Sequence, residues 1–443
     1  MNKQKIFQFD INKCVGCQAC IIACIIENQT EQPIHWRDVN TFNKNHHPDL
    51  PVFYYSLACN HCQDAPCLNN CPALAYSKDI ISGAIVHNQN KCIGCQYCTW
   101  ACPYDAPKFN IEKGVIEKCT FCLHRTEEGL KPACANLCPT GALDYIEKPE
   151  IVNNKNIFAF TDININPSIN FIPLRNEKTV EIIPEFKHIE IKNSKSKIES
   201  KISAKKEWPL IVFTLLMAVL ASYFTAFSFY KINFNPHIFL ITITLASVFS
   251  IFHLGKKYRA YRAIFNIKKS WLSREILFFG MFFILSISQI IFKQNIYLQI
   301  LAVISGILLL LSIDKVYSLA IQSTNLELHS AHVFLSGFLF LSIFIENYIL
   351  LSLLIVLKSA LYIYRKYYFW KKDKDFKIFQ SAWRLDLLIS FPLFFWIFDF
   401  SHLNLFIFIS IFIGEIIDRI EYYNELDIIT PEKQMTNYFT SKS

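Results

Sequence analysis

Sixteen cysteines lie between residues 14 and 138, and none lies in the roughly three hundred residues that follow. They form four groups of four. The first is Cys14-x2-Cys17-x2-Cys20-x3-Cys24, and the second is Cys59-x2-Cys62-x4-Cys67-x3-Cys71 before Pro72. The third is Cys92-x2-Cys95-x2-Cys98-x3-Cys102 before Pro103, and the fourth is Cys119-x2-Cys122-x11-Cys134-x3-Cys138 before Pro139. A cubane iron–sulfur cluster needs four thiolates aimed at one centre. A tight loop supplies three, and the fourth arrives from the far side, which the C-x3-C step makes possible. The spacing therefore predicts four [4Fe-4S] clusters with no cysteine left over. Zinc sites also use C-x2-C pairs, but they need neither the third close cysteine nor the C-x3-C-P step. Disulfides belong to an oxidising, exported setting, and residues 1–10 carry neither an apolar signal segment nor a twin arginine. If this domain is exported, the expectation is that another chain carries the address.

The groups repeat. Asn12-Lys13-Cys14-x-Gly16-Cys17-Gln18-x-Cys20 recurs as Asn90-Lys91-Cys92-x-Gly94-Cys95-Gln96-x-Cys98, the mark of a duplicated two-cluster ferredoxin. In such ferredoxins the last cysteine of a group serves the other cluster of the pair. The shared glycines suit a loop whose backbone approaches the sulfurs closely. The expected fold of residues 1–148 is an α+β, ferredoxin-like polyferredoxin. Strands are expected near residues 5–10, 52–55 and 83–86, with short helices beginning near the C-x3-C-P steps. The clusters would replace much of the hydrophobic core.

Hydrophobic residues make up 52% of the chain and the mean hydropathy is +0.26, with most of the excess after residue 207. Residues 149–207 read as a tether. Its first part, to about Pro184, has apolar residues (Phe158-Ala159-Phe160, Phe171-Ile172-Pro173) able to lie against the cysteine domain. Its second, Lys192 to Glu207, is rich in Lys, Ser, Glu and Ile. Residues 208–443 read as an all-α transmembrane bundle in a lipid bilayer. Apolar runs long enough to cross one lie at about 208–230, 237–254, 276–292, 296–313, 385–400 and 403–417. The stretch 333–361 is too long for one crossing and is interrupted by Glu346-Asn347, so two short spans bring the count to eight; seven is the alternative. The net charge of +8 comes from lysines and arginines between apolar runs, the pattern of a membrane protein and not of a nucleic-acid binder. Loops 255–275 and 363–384 carry seven basic residues each, and 192–206 carries six. With eight spans these segments share the side of the cysteine domain, which the positive-inside rule makes cytoplasmic.

Electrons leaving the clusters need a partner in the bilayer. That part has no cysteine, and His237 and His253 sit at opposite ends of one span, so no haem is expected. A quinol needs only a pocket, an anchor and a proton acceptor. His253, Arg274 and Glu275 are the candidates, since imidazole and carboxylate both take protons. The competing reading makes His253 interfacial and Arg274-Glu275 a snorkelling pair. Lys358, Asp386, Asp399, Glu415 and Asp418 read as interfacial anchors, and Glu346 as a solvated turn residue.

The four groups, with x4 in the second and x11 in the fourth, resemble the iron–sulfur subunit of the dimethyl sulfoxide reductase family. The stretch Phe252-His253-Leu254-Gly255…Arg259-Ala260-Tyr261-Arg262-Ala263…Asn266…Ser270-Trp271-Leu272-Ser273-Arg274-Glu275 is similar to that family's membrane anchor. The chain thus looks like the two subunits fused. The resemblance implies four ligand sets. Cys14, Cys17 and Cys20 go with Cys138, and Cys119, Cys122 and Cys134 with Cys24. Cys59, Cys62 and Cys67 go with Cys102, and Cys92, Cys95 and Cys98 with Cys71. It places the Cys92-group cluster towards the membrane and the Cys14-group cluster towards a separate molybdopterin-containing catalytic subunit. It makes His253 and Glu275 menaquinol-site residues, in a multi-pass protein of the cytoplasmic membrane that draws on the quinone pool in anaerobic respiration. Family members hold the cluster domain outside that membrane, opposite to the charge count. The same clusters could also carry electrons from a dehydrogenase or hydrogenase into quinone. A redox-regulated transporter would need mid-span charge pairs and helix repeats.

Overall fold

The computed structural model describes residues 4–44, 51–155, 157, 158, 160, 163–175, 202–230, 232–292, 295–318, 328–373, 384, 404–426, 428 and 430–432. The chain divides into two compact units, residues 1–201 with 428–443, and residues 202–427.

The first unit contains the strands β1 (Lys5–Asp10), β2 (Asp38–Phe42), β3 (Phe53–Leu57), β4 (Tyr76–Lys78), β5 (Ile85–His87), β6 (Lys108–Asn110), β7 (Val115–Glu117), β8 (Leu143–Glu147) and β9 (Ile169–Ile172). Its helices are α1 (Ala19–Asn28), α2 (Pro66–Asn70), α3 (Tyr97–Trp100), α4 (Leu123–Thr126) and α5 (Ala133–Asn136). β1 is the centre of a three-stranded sheet, antiparallel to β8 with Phe7 opposite Tyr145, and parallel to β9 with Phe9 opposite Phe171. This ladder joins the two ends of the cysteine region. The pairs β2–β3, β4–β5 and β6–β7 form separate two-stranded sheets. The last two each lead into a cysteine loop, at Cys92 and Cys119. Aromatic rings fill the space between sheet and loops: Phe7 meets Phe121 at 4.9 Å, and Phe171 meets Tyr55 at 5.8 Å and Phe160 at 4.8 Å.

The duplication extends further in the backbone than in the residues. The second residue after the first cysteine is left-handed in all four loops: Gly16 (φ +69°), His61 (+43°), Gly94 (+72°) and Phe121 (+66°). Glycine takes this conformation freely, whereas histidine and phenylalanine take it at a cost. As expected, short helices begin at the C-x3-C steps, each one residue before the first cysteine of the step: α1 before Cys20, α2 before Cys67, α3 before Cys98 and α5 before Cys134. α2, α3 and α5 stop within two residues of the last cysteine of their groups, because the proline that follows it cannot continue a helix. Cys24 has no proline after it, and α1 runs on to Asn28.

The expected boundary at residue 148 falls inside this unit. β9 completes the sheet, and Ile157, Phe160 and Phe171 are buried in its core. Residues 149–172 thus belong to the cysteine unit because their apolar side chains cover β1. Residues 176–201 of the expected tether lie outside the described residues.

The second unit comprises α6 (Trp208–Tyr230), α7 (Pro236–Phe252), a 3-10 helix (Lys257–Ile264), α8 (Trp271–Ile291), α9 (Ile296–Tyr317), α10 (Val333–Phe344), α11 (Tyr348–Asp373) and α12 (Asn404–Glu425). Asn235, Ser270 and Asn295 cap α7, α8 and α9 by accepting hydrogen bonds from the first-turn N–H groups. Among the described residues four helices are long and apolar enough to cross a membrane, and α7 with the 3-10 helix, bent by 100°, makes a fifth if the pair is one span. The break at Glu346-Asn347 is where the sequence reading put it, with Glu346 exposed at φ +55°. It leaves α10 only 12 residues, about 18 Å, short of a bilayer core of about 30 Å. The expected span at 385–400 lies outside the described residues.

Gly16 tests the loop geometry. A Cβ there would come within 2.5 Å of the Tyr54 ring, whereas Gly129, also at positive φ (+79°), has nothing within 4 Å. Gly16→Ala is expected to lower iron retained per chain on purification, while Gly129→Ala shows only the backbone strain, about 1 kcal/mol, as a small fall in thermal midpoint.

Candidate functional site

All sixteen cysteines are free of disulfides, and their thiols fall into four mutually facing sets. Cys14 lies against Cys17, Cys20 and Cys138. Cys24 lies against Cys122 and Cys134, and Cys119 against Cys24 and Cys134. Cys62 faces Cys59, Cys67 and Cys102, and Cys98 faces Cys92, Cys95 and Cys71. Each set thus draws one member from another group, delivered by a C-x3-C helix. Burial pushes the Cys14 thiol up to about 11 and that of Cys24 up to about 12, so loading iron there must displace protons. Among the described residues no three Cys, His, Asp or Glu side chains stand close enough to hold a single metal ion. The loops also aim backbone donors at sulfur. The N–H groups of Gly94 and Phe121, the left-handed residues, donate to Cys92 and Cys119 Sγ at 3.4 Å. Those of Ala75 and Leu143 donate to Cys71 and Cys138 Sγ at 3.3 and 3.4 Å.

The sequence reading missed two residues here, Arg37 and Lys118, each 2% exposed. Among the described residues neither cation has a carboxylate partner. A buried charge is tolerated only against a countercharge, and the surrounding thiolate sulfurs are the groups placed to supply one. Lys-Cys occurs at 13–14, 91–92 and 118–119, but Lys13 and Lys91 are exposed. Only the fold tells the three apart.

In the second unit, His253 is the C-terminal cap of α7, its N–H donating to Ile251 O. Both its ring nitrogens are buried and make no side-chain hydrogen bond among the described residues, and the Ser250 backbone lies beside the ring. Glu275, in the first turn of α8, is 6% exposed. The 3-10 helix between them packs against both α7 and α8, and Ser273 Oγ ties it down by donating to Ala263 O at 2.6 Å. Arg274 serves this loop. Its Nε and Nη2 donate to the carbonyls of Ile267 and Lys268 at 2.9 and 2.7 Å, and its guanidinium lies over Trp271 at 4.3 Å. A buried carboxyl and an imidazole with buried ring nitrogens are costly to keep among apolar side chains.

Residues 50–148 match the model of a 4Fe-4S dicluster domain, and residues 202–365 match that of the DMSO reductase anchor subunit. An anaerobic dimethyl sulfoxide reductase polypeptide of Haemophilus influenzae is 35% identical over 154 residues, 33% of this chain and 75% of that protein. The chain belongs to the dimethyl sulfoxide reductase family. It carries that family's iron–sulfur and anchor parts in one polypeptide. A tetrathionate reductase subunit of Salmonella typhimurium is 42% identical over 136 residues, 30% of this chain, and the chain spans 54% of its length. The arsenate respiratory reductase iron–sulfur subunit of a Shewanella species is 34% identical over 181 residues, 30% of this chain and 77% of that subunit.

The anchor part of this reductase-family chain holds a buried ion network where the sequence suggested interfacial residues. Lys358 Nζ lies 2.8 Å from Glu415 Oε2, and both are 0% exposed. Arg365 pairs with Asp418 at 2.9 Å, and Arg384 reaches Asp418 at 3.2 Å and Glu415 at 3.5 Å. Ser336 and Ser330 donate to Glu415 and Asp418, and Arg419 donates to Thr214 and Ser336. Lys358, Glu415 and Asp418 are therefore not interfacial anchors: each is paired inside the bundle, as ionisable groups in apolar surroundings must be. Asp386 and Asp399 lie outside the described residues. The network also weakens the charge count for sidedness, because Arg365, Lys366 and Arg384, three of the seven basic residues in 363–384, are engaged by carboxylates. Breaking one pair by Lys358→Met or Glu415→Leu is expected to destabilise the detergent-solubilised chain by about 3–5 kcal/mol, seen as a lower thermal midpoint. The double variant recovers most of the loss.

Proposed function

We propose that the chain is the electron-transfer and membrane-anchor component of a quinol:acceptor oxidoreductase of the cytoplasmic membrane. It oxidises menaquinol in its second unit and delivers the electrons, through four [4Fe-4S] clusters, to a separate molybdopterin-containing catalytic subunit. The reading rests on one juxtaposition in a single polypeptide: four facing thiol sets in one unit, and a buried imidazole and carboxyl flanking one docked loop in the other. The bundle is read as eight spans, α10 and α12 counting as two and 385–400 as another. The relatives are named for dimethyl sulfoxide, tetrathionate and arsenate reduction, so the acceptor is set by the catalytic partner and not by this chain.

Menaquinol gives up two electrons and two protons. His253 keeps its ring nitrogens out of water with no side-chain partner among the described residues, so it is suited to hold one quinol oxygen by a hydrogen bond and fix the ring. Glu275 is the base for the departing proton, and the adjoining loop shields both from bulk water. When bound, the clusters supply one-electron acceptors, so a two-electron donor is drained in single steps. The sixteen cysteines ligate them in the four sets that face one another.

The test uses the full chain in detergent, mixed anaerobically with a menaquinol analogue, while the visible absorbance of the iron–sulfur centres is followed. Glu275→Gln is expected to slow quinol-driven reduction by about 10²-fold, and His253→Ala by a similar factor. Reduction by dithionite stays at the wild-type rate in both. Arg274→Ala keeps most of the quinol rate, because its donors serve loop carbonyls. A wild-type quinol rate in His253→Ala contradicts the assigned site.

A further inference from the structure

The four thiol sets form a line, and each contact between neighbours contains one buried polar side chain. Between the Cys14 set and the Cys119 set lies Arg37, whose charge acts on Cys20 of the first and on Cys134, Cys119 and Cys24 of the second. Between the Cys119 set and the Cys59 set lies Lys118, which acts on Cys119 on one side and on Cys59 and Cys67 on the other. Between the Cys59 set and the Cys92 set lies Tyr76, placed against Cys67, Cys98 and Cys71. Two contacts hold a cation. The third holds a phenol, which is neutral at pH 7.

Hydrogen bonding shows that both cations are charged. Lys118 Nζ donates to Ile85 O, to Cys119 O at 2.7 Å and to Cys59 Sγ at 3.5 Å, which occupies all three protons of an ammonium. Arg37 is permanently charged. Its Nη1 donates to Ser56 O and Oγ at 3.0 and 3.1 Å, and Ser56 Oγ lies 3.2 Å from Cys20 Sγ. Its guanidinium sits over the Phe7 ring at 4.8 Å and lies against the Cys134 thiol. Each brings a charge into an apolar interior where, among the described residues, only the cysteine sulfurs stand to balance it. Four thiolates around a [4Fe-4S] core leave a net negative charge that grows by one on reduction. A fixed cation beside it favours the reduced form, and low local polarity makes the effect strong.

We propose that Arg37 and Lys118 are potential-setting residues that hold the clusters of the Cys14, Cys119 and Cys59 sets more readily reducible than they would otherwise be. The Cys92-set cluster, next to neutral Tyr76, receives no such bias. The Cys119-set cluster lies against both cations and gains from each. The inference rests on the four-cluster reading given above. It adds a direction: electrons entering at the Cys92 set move towards clusters stabilised in their reduced form.

The experiment is an anaerobic redox titration of the full chain followed by electron paramagnetic resonance, with each signal assigned by a ligand Cys→Ser variant. Lys118→Met is expected to lower the potentials of the Cys119-set and Cys59-set clusters. At fixed potential their reduced-to-oxidised ratio falls about tenfold, which for a one-electron couple is about 59 mV. Arg37→Met lowers those of the Cys14-set and Cys119-set clusters. Neither variant moves the Cys92-set cluster, and Lys118→Arg and Arg37→Lys keep wild-type potentials. Unchanged potentials in both Met variants with full iron would overturn the proposal, as would equal shifts in all four clusters. If a Met variant loses its iron, the charge-keeping variant must retain iron and potentials; if it loses them too, shape and not charge is what matters, and the proposal fails. Iron and sulfide short of four clusters in the unaltered chain would instead refute the four-cluster reading.

Discussion

Sulfur ligation of iron concentrates negative charge inside a small unit, and the architecture of the first unit follows from managing it. Most of the thiols are buried beyond the reach of water, so each set must be neutralised by iron, by backbone N–H groups or by a buried cation. In two loops the left-handed residue, Gly94 or Phe121, turns a backbone donor towards sulfur. The C-x3-C helices carry the fourth thiol to a neighbouring set, which ties the groups together. The β8-β1-β9 ladder then brings the first and last groups side by side, so that Cys138 can complete the set begun at Cys14. Without the clusters there is little reason for the ring-filled but thin core to hold these loops in place.

Much of this was legible in the residues. Cysteine spacing defines the grouping, the proline after three of the groups marks where three helices stop, and the glycine repeat marks two of the four left-handed positions. The other two, His61 and Phe121, carried no signal, because tertiary context forces the conformation on residues that do not prefer it. Arg37 and Lys118 were invisible for a related reason: a lone cation in a sequence reads as solvated surface until the fold buries it. Apolar residues between 149 and 184 hinted at packing on the cysteine domain, but the pairing of β9 with β1 spans more than 150 residues and left no local trace.

In the second unit, hydropathy located the helices and the break at Glu346-Asn347 but misread the charges. Apolar runs end where charges begin, so Lys358, Glu415 and Asp418 looked like the limits of spans. The helices instead continue past them, and the charges face one another across the bundle. Opposite charges close in space but 57 residues apart in sequence leave no local trace. His253 and Glu275 could be singled out because they flank one basic loop, a pattern short enough to see. Arg274, picked by the same adjacency, turned outward to hold the loop, because neighbouring residues on a helix face different ways.

The central claim is that the cysteine sets hold four [4Fe-4S] clusters in one chain with a quinol site. It is tested most directly by purifying the chain anaerobically from membranes and measuring iron, acid-labile sulfide and zinc together. The account predicts about sixteen iron and about sixteen sulfide per chain, with zinc at background. Iron and sulfide well below that, or zinc in their place, would contradict it.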